Sequence, residues 1–236
     1  MASIRALLAQ LVFKEFSVED VADVSAHFRR FKISGESLRE NRSAPGDKVQ
    51  IMIGDIGPRT FTPFAADANA GTFDILAYVH GDAPAAAWAR TTQAGTRFRA
   101  FGPRGSLALN SLAGPVVMFG DETSFGAAKS LFDLRGGADG LSFVFESTDT
   151  DEAKAVLTEL GMSEAAVVRR EPGRTHLSEL ESQLRAALEL RGDASLVLTG
   201  HAQMIQAVRA RLKARPVKHR GQKVKAYWAD GKKGLD

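Results

Sequence analysis

Cysteine is absent from this chain of 236 residues. That excludes disulfides, thiolate catalysis, cysteine-ligated zinc and cysteine-ligated iron–sulfur clusters, so any redox chemistry has to come from a bound organic cofactor. Long apolar runs are missing too. No segment approaches the roughly 20 apolar residues of a membrane-spanning helix. The short stretch Ala6-Leu7-Leu8 gives way to Lys14 and Glu15 with no small-residue cleavage site after it, so neither a secretory leader nor membrane insertion is expected and the location is expected to be cytoplasmic. There is no internal repeat and no low-complexity segment.

What is present is an ordinary globular composition, 44% apolar and 25% charged, enough for one large domain or two modest ones. The net charge of +3 conceals a polarity along the chain. From Arg209 onward ten Lys or Arg face Asp230 and Asp236, a local +8, while residues 1–208 hold 21 basic against 26 acidic residues, or −5. A solvated helix face followed by a polar terminus accounts for this, and no nucleic-acid motif accompanies the charge, so nucleic acid is not an expected partner.

Up to about residue 110 the chain reads as short strands separated by turn chemistry. Val12 to Phe16, His27 to Ile33, Lys48 to Ile53, Thr72 to Val79 and Arg97 to Phe101 are rich in β-formers, and Ser34-Gly35, Ala44-Pro45-Gly46-Asp47, Gly54-Asp55 and Asn69-Ala70-Gly71 punctuate them. Such spacing favours a closed or sandwich β architecture. Pro84 to Gln93 is the one helix predicted there, with proline in its first turn. After Ala113-Gly114-Pro115 the pattern changes: Val116 to Phe119, Leu141 to Phe145, Ala165 to Val168 and Ser195 to Thr199 alternate with helices predicted over 123–134, 151–160, 176–190 and 201–213. This alternation predicts a parallel sheet with crossover helices.

Five short stretches carry chemistry. They are Arg59-Thr60-Phe61-Thr62, His80-Gly81-Asp82-Ala83-Pro84 leading to Trp88-Ala89, Gly102-Pro103-Arg104-Gly105-Ser106, Gly120-Asp121-Glu122-Thr123, and Lys225-Ala226-Tyr227-Trp228 with Gly231-Lys232. In this order they resemble the siderophore-interacting proteins, a ferredoxin-reductase-like family that reduces ferric siderophores, and the resemblance spans nearly the whole chain. It implies an N-terminal antiparallel six-stranded β-barrel that binds FAD, residues 1–112. A doubly wound parallel-sheet domain for NAD(P)H, residues 113–236 with a basic C-terminal tail, would follow.

The resemblance also implies roles. In Arg59-Thr60-Phe61-Thr62 the guanidinium would meet phosphate bidentately, while a planar ring and a threonine lie along the flavin. Phe61 replaces the family's Tyr, and Phe64 stands where many members have a second arginine. A bulged edge strand with a surface arginine is the alternative. His80, Gly81, Asp82, Ala83, Pro84 and Trp88 would form a strand–turn–helix that offers backbone N–H groups and a helix dipole to the pyrophosphate. Ala83 replaces a second family glycine and would be strained there if φ were positive. The alternative is a capped helix with Trp88 in the core and a structural His80. Arg104 and Ser106 would close the flavin site beside the nicotinamide. Asp121 and Thr123, at a strand-to-helix junction, would face nucleotide and flavin, or act only as a helix N-cap.

Glu146 lies 26 positions after Gly120, near the place where an acidic residue accepts the ribose 2′-hydroxyl, which favours NADH over NADPH; otherwise it is an exposed strand-end acid. Trp228, with Tyr227, would flank the flavin or belong to a final buried strand. Lys223, Lys225 and Lys232 would hold an anionic ferric chelate. The expected activity is thus a FAD-dependent NAD(P)H:ferric-siderophore oxidoreductase, in which flavin reconciles a two-electron hydride donor with one-electron Fe(III), and iron is substrate cargo. No side chain is expected to act as nucleophile or resident metal ligand. A general flavin reductase or diaphorase and a flavin-less binding module stay open as alternatives, as do monomer and dimer.

Overall fold

The computed structural model describes residues 13–54, 57–81 and 83–232, which divide into two compact units meeting between Ala108 and Leu109. Ala6-Leu7-Leu8, the Asp55 of one expected turn, Asp82 and the final residues of the basic tail lie outside the described residues.

The first unit carries seven strands: β1 (Lys14–Asp23), β2 (Phe28–Ser34), β3 (Lys48–Ile53), β4 (Gly57–Phe61), β5 (Phe64–Asp67), β6 (Thr72–Tyr78) and β7 (Arg97–Arg104), in the antiparallel order β4-β3-β7-β1-β2-β6-β5. The edge strands β4 and β5 are joined by only Thr62 and Pro63. Three Cα–Cα steps reach about 11 Å at most, so the two edges must come together and the sheet curls into a barrel. Phe16, Phe31, Ile33, Val49, Ile51, Phe73 and Ile75 fill it. A short helix α1 (Ser37–Glu40) joins β2 to β3, and α2 (Pro84–Thr91) packs Ala86 and Ala89 against the same core.

The described residues of this unit hold seven strands where the resemblance implied six and the sequence pattern marked five. The two unmarked strands are β4 and β5, because Gly57-Pro58 and Ala65-Ala66 have weak strand preference and Ala65 even sits at φ 47°. Only pairing with β3 and β6 makes these segments strands.

The second unit has five parallel strands, β8 (Val116–Gly120), β9 (Leu141–Ser147), β10 (Ala166–Arg169), β11 (Ser195–His201) and β12 (Gly221–Trp228), in the order β10-β9-β8-β11-β12. The chain steps outward from β8 to β10, then returns to the other side of β8, which makes the sheet doubly wound with its switch point between β8 and β11. Right-handed crossovers place α3 (Phe125–Arg135) and α4 (Thr150–Glu159) on one face and α5 (Leu177–Arg191) and α6 (Ala202–Ala214) on the other. On the second face Leu180, Leu184 and Leu188 recur at helical spacing and pack with Val117, Phe119 and Val144. On the first, Phe125 meets Phe145 edge-on at 4.9 Å. The start of α4 is capped locally: Asp149 Oδ1 accepts from the N–H groups of Asp151 and Glu152. The basic C-terminal segment forms β12, a parallel edge strand paired with β11.

Candidate flavin and nucleotide sites

In the barrel, Arg59, Thr60 and Phe61 lie on β4 opposite Ile51, Gln50 and Val49, and Thr62 forms the link to β5. The Arg59 guanidinium donates to the neighbouring carbonyl of Pro58 at 2.9 Å, and among the described residues no carboxylate pairs with it. Phe61 is half-buried, its ring 5.7 Å from Trp88, which also meets Phe31 at 5.3 Å and Phe98 at 6.0 Å. Trp88 is therefore part of an aromatic cover on the barrel core, to which β4 contributes the Phe61 ring. Phe64 is buried.

After β6 the exposed ring of His80 stacks on Tyr78 at 4.5 Å, and Gly81 turns the chain at φ 55°. Asp82 lies outside the described residues. Ala83 has φ −63° and ψ 146°, so the strain expected of an alanine at this position does not arise; the left-handed turn is made one glycine earlier. Pro84 is the first residue of α2, among the described residues no side chain caps the helix, and its first i→i−4 bond runs from Ala87 N to Ala83 O at 3.0 Å. The N–H groups of Ala85 and Ala86 precede that bond, at the positive end of the helix dipole.

Arg104 is occupied within the barrel: its guanidinium lies 4.5 Å over the Phe101 ring and donates to Gln50 Oε1. Ser106 is half-buried beyond the end of β7.

In the second unit the chemistry gathers where β8 and β11 end. Asp121 is only 1% exposed. One carboxylate oxygen, Oδ1, accepts from Thr123 N at 3.0 Å and from the Thr123 hydroxyl; the other, Oδ2, accepts the indole N–H of Trp228 at 2.7 Å. Asp121 and Thr123 thus form the N-terminal cap before α3, and the Asp121 carboxylate is enclosed rather than open to a ligand. Burial above all, together with the Glu122 charge, pushes Asp121 up to about 6, against the hydrogen bonds from Thr123 and Trp228 and the charge of Arg170. Two glycines make this packing possible. A Cβ on Gly120 would lie 2.4 Å from Ser124 Cβ, and one on Gly200, at φ 96°, would lie 2.5 Å from Asp121 Oδ2. Trp228 stacks on His201 at 3.9 Å and 11°, and His201 Nε2 lies 3.2 Å from Asp230 Oδ1 without hydrogen-bond alignment.

Beside this cluster lies a network that the sequence pattern did not disclose. Glu122 binds Arg170 through both oxygens, at 3.1 and 2.6 Å, and accepts from Ser147 Oγ and Thr148 N. Glu146 stands at the end of β9 as expected, but it is fully buried, so its carboxylate is not open to a ribose. Its Oε2 lies 2.8 Å from His176 Nε2 and its Oε1 3.7 Å from Arg170 Nε. Because Glu171 N–H donates to His176 Nδ1 at 3.0 Å, the ring carries its proton on Nε2 and gives it to Glu146. This carboxylate joins β9 to the start of α5, and the reason to favour NADH falls with it. Residues 48 positions apart, such as Glu122 and Arg170, leave no local signal of their pairing.

Lys223 and Lys225 are half-buried on β12, two residues apart and so on one face, opposite Val197 and Thr199; Lys232 is exposed in the turn that follows.

Residues 113–231 match the siderophore-interacting protein family, and residues 54–107 match the siderophore-interacting FAD-binding domain. The chain belongs to the siderophore-interacting protein family. None of the curated proteins matches it in sequence. A siderophore utilization protein from T. fusca is 25% identical, with TM-score 0.72 over 95% of each chain. The siderophore-interacting protein SipS from Aeromonas hydrophila is 20% identical, with TM-score 0.73 over 94% of this chain and 93% of its own. A ferredoxin NADP+ reductase from Neisseria gonorrhoeae, solved with FAD and NADP, shares the fold at 15% identity, with TM-score 0.68 over 92% of this chain and 99% of that one. The architecture is therefore ferredoxin-reductase-like, a fold of FAD-binding oxidoreductases.

Proposed function

We propose that this siderophore-interacting protein is a FAD-dependent NAD(P)H:ferric-siderophore reductase. The observation that carries the reading is the order of the two family matches: the FAD-binding match falls within the first compact unit and the siderophore-interacting match within the second. The barrel residues suit FAD. Arg59 has no carboxylate competitor among the described residues, Gly81 supplies the turn, and the N–H groups of Ala85 and Ala86 stand at a helix start that no described side chain caps. In this reading those groups hold the pyrophosphate, Phe61 lies along the flavin, and Thr62 hydrogen-bonds its edge. Bound flavin would supply the conversion between a two-electron hydride donor and a one-electron acceptor.

The switch point between β8 and β11 is where an open parallel sheet takes its nucleotide. With Glu146 enclosed, the donor is NADH or NADPH. The lysines of β12 and the following turn attract the anionic ferric chelate, and Fe(III) leaves as Fe(II) because the softer charge fits oxygen donors less well. No protein proton donor is needed for that electron transfer. The test is direct. The purified protein should be yellow or take up FAD, NADH or NADPH should bleach it anaerobically, and a ferric chelate should restore the colour while Fe(II) appears. Bleaching followed by equally fast recovery with quinones or free flavin, and none with ferric chelates, would favour a general flavin reductase instead.

A further inference from the structure

The carboxylate of Asp121 is held from several sides. It stands at the switch point, is enclosed, and accepts from two elements: the start of α3 through Thr123 and the end of β12 through Trp228. Gly200 provides the hollow in which it lies, since any Cβ there would overlap both carboxylate oxygens. The indole that it holds is flat on His201, in a 3.9 Å stack across the end of β11. The next turn adds ties of the same kind: Asp230 lies near His201 at 3.2 Å and near Arg174 at 3.8 Å. Arg174 has φ 61°, a left-handed conformation rare outside glycine, so the loop from β10 to α5 reaches this place at some backbone strain.

We propose that Asp121 is a positioning residue of the nucleotide site: its carboxylate fixes the Trp228 indole on the His201 ring at the ends of β8, β11 and β12, and this fixed aromatic surface receives a planar ring of the nicotinamide nucleotide. The inference rests on the reductase reading above. Its physical basis is preorganisation. A free tryptophan side chain at the end of an edge strand loses rotamer freedom when a ligand ring packs on it, whereas one already hydrogen-bonded and stacked does not. The donor count explains why an ionised carboxylate serves here. Thr123 and Trp228 present N–H groups to different oxygens, and an asparagine offers only one acceptor, so an amino group would face one of the two donors.

The grip is sensitive to proton uptake. Asp121 titrates near 6, with Glu122 as its acidic neighbour, Arg170 at the end of β10 as the facing cation, and His201 behind the Trp228 ring. Above that pH the indole bond is charge-assisted; below it the bond becomes a weaker neutral one.

The experiment uses the full-length protein. The chain has two tryptophans, so two indole N–H signals appear in a 15N spectrum, and Trp228→Phe assigns them. In the wild type the Trp228 signal should move with an apparent midpoint near pH 6, and in Asp121→Asn it should stop titrating. Affinity for NAD+ and NADP+, measured by calorimetry, should fall roughly tenfold in Asp121→Asn, the loss of a hydrogen bond to a charged group. It should fall similarly in Trp228→Phe and no further in the double variant, because Asp121 acts through Trp228. Losses that add in the double variant, or a Trp228 signal flat with pH in the wild type, would overturn the positioning role. So would nucleotide affinity left intact in Asp121→Asn. A wild type that binds neither nucleotide would instead remove the reductase reading on which the receiving surface depends. The wild-type titration needs only the Trp228→Phe assignment, so a misfolded Asp121→Asn leaves the proposal open to refutation.

Discussion

Arg59 and Glu146 differ in the partners that the described residues give them. Among the described residues the Arg59 guanidinium makes one hydrogen bond, to the backbone of the preceding residue. Arg59→Ala should therefore leave the barrel intact and weaken FAD binding by one charge-assisted phosphate contact, about 1.5–3 kcal/mol, or roughly ten- to more than a hundredfold in dissociation constant. Unchanged FAD affinity by fluorescence titration would remove Arg59 from the flavin site. Glu146 is the opposite case. It is buried against His176 and Arg170, and Glu146→Ala strips the acceptor from the His176 Nε2 proton and an anion from beside the guanidinium. The variant should lose roughly 3–5 kcal/mol of stability in urea unfolding while its kcat/KM ratio for NADH over NADPH stays as in the wild type. A changed ratio in a fully stable variant would restore Glu146 to the ribose site. The spacing after Gly120 that suggested a ribose ligand is real in the sequence, but burial is not written in spacing.

Among the elements, β12 carries the greatest consequence. As a sequence, residues 209–236 are a basic tail; in the fold, Gly221–Trp228 is the parallel edge strand of the second unit's sheet. Period-two alternation then separates Lys223 and Lys225 from Val224 and Ala226 and gives the two lysines a common face. Replacing Lys223, Lys225 and Lys232 with alanine should raise KM for an anionic ferric siderophore and flatten its salt dependence, because long-range attraction at the open edge is screened by salt. FAD content should be unchanged, and a neutral ferric hydroxamate should feel little difference. Equal turnover of both chelates by the triple variant at low salt would leave the lysines as a solvated edge. The strands β4 and β5 teach the complementary lesson. Both are short and poor in β-formers, and their identity comes from the partners β3 and β6 rather than from their own residues.

For the molecule as a whole, the division into a β unit and a parallel α/β unit follows from periodicity alone. Alternating β-formers and turn residues fill the first half, and apolar strand runs alternate with helical Leu and Ala spacing in the second. Helix positions were legible to within a residue or two because caps, prolines and glycines mark them locally: Pro84 opens α2, Asp149 caps α4, and Gly136 at φ 69° ends α3. The absence of cysteine and the order of the short motifs likewise depended on nothing beyond the chain, and they already pointed to a flavin and to the family. The tertiary structure decided which charged residues are available. It buried Glu146, enclosed Asp121 and tied Arg104 to Gln50 and Phe101, while among the described residues no acid pairs with Arg59. It also turned the basic tail into an edge strand and brought Trp228 to Asp121 across 107 positions. The physical reason is the range of the forces involved. Backbone preference, capping and amphipathic spacing act within a few residues, whereas desolvation and ion pairing depend on who is adjacent in space, and adjacency exists only once the sheet order has been set.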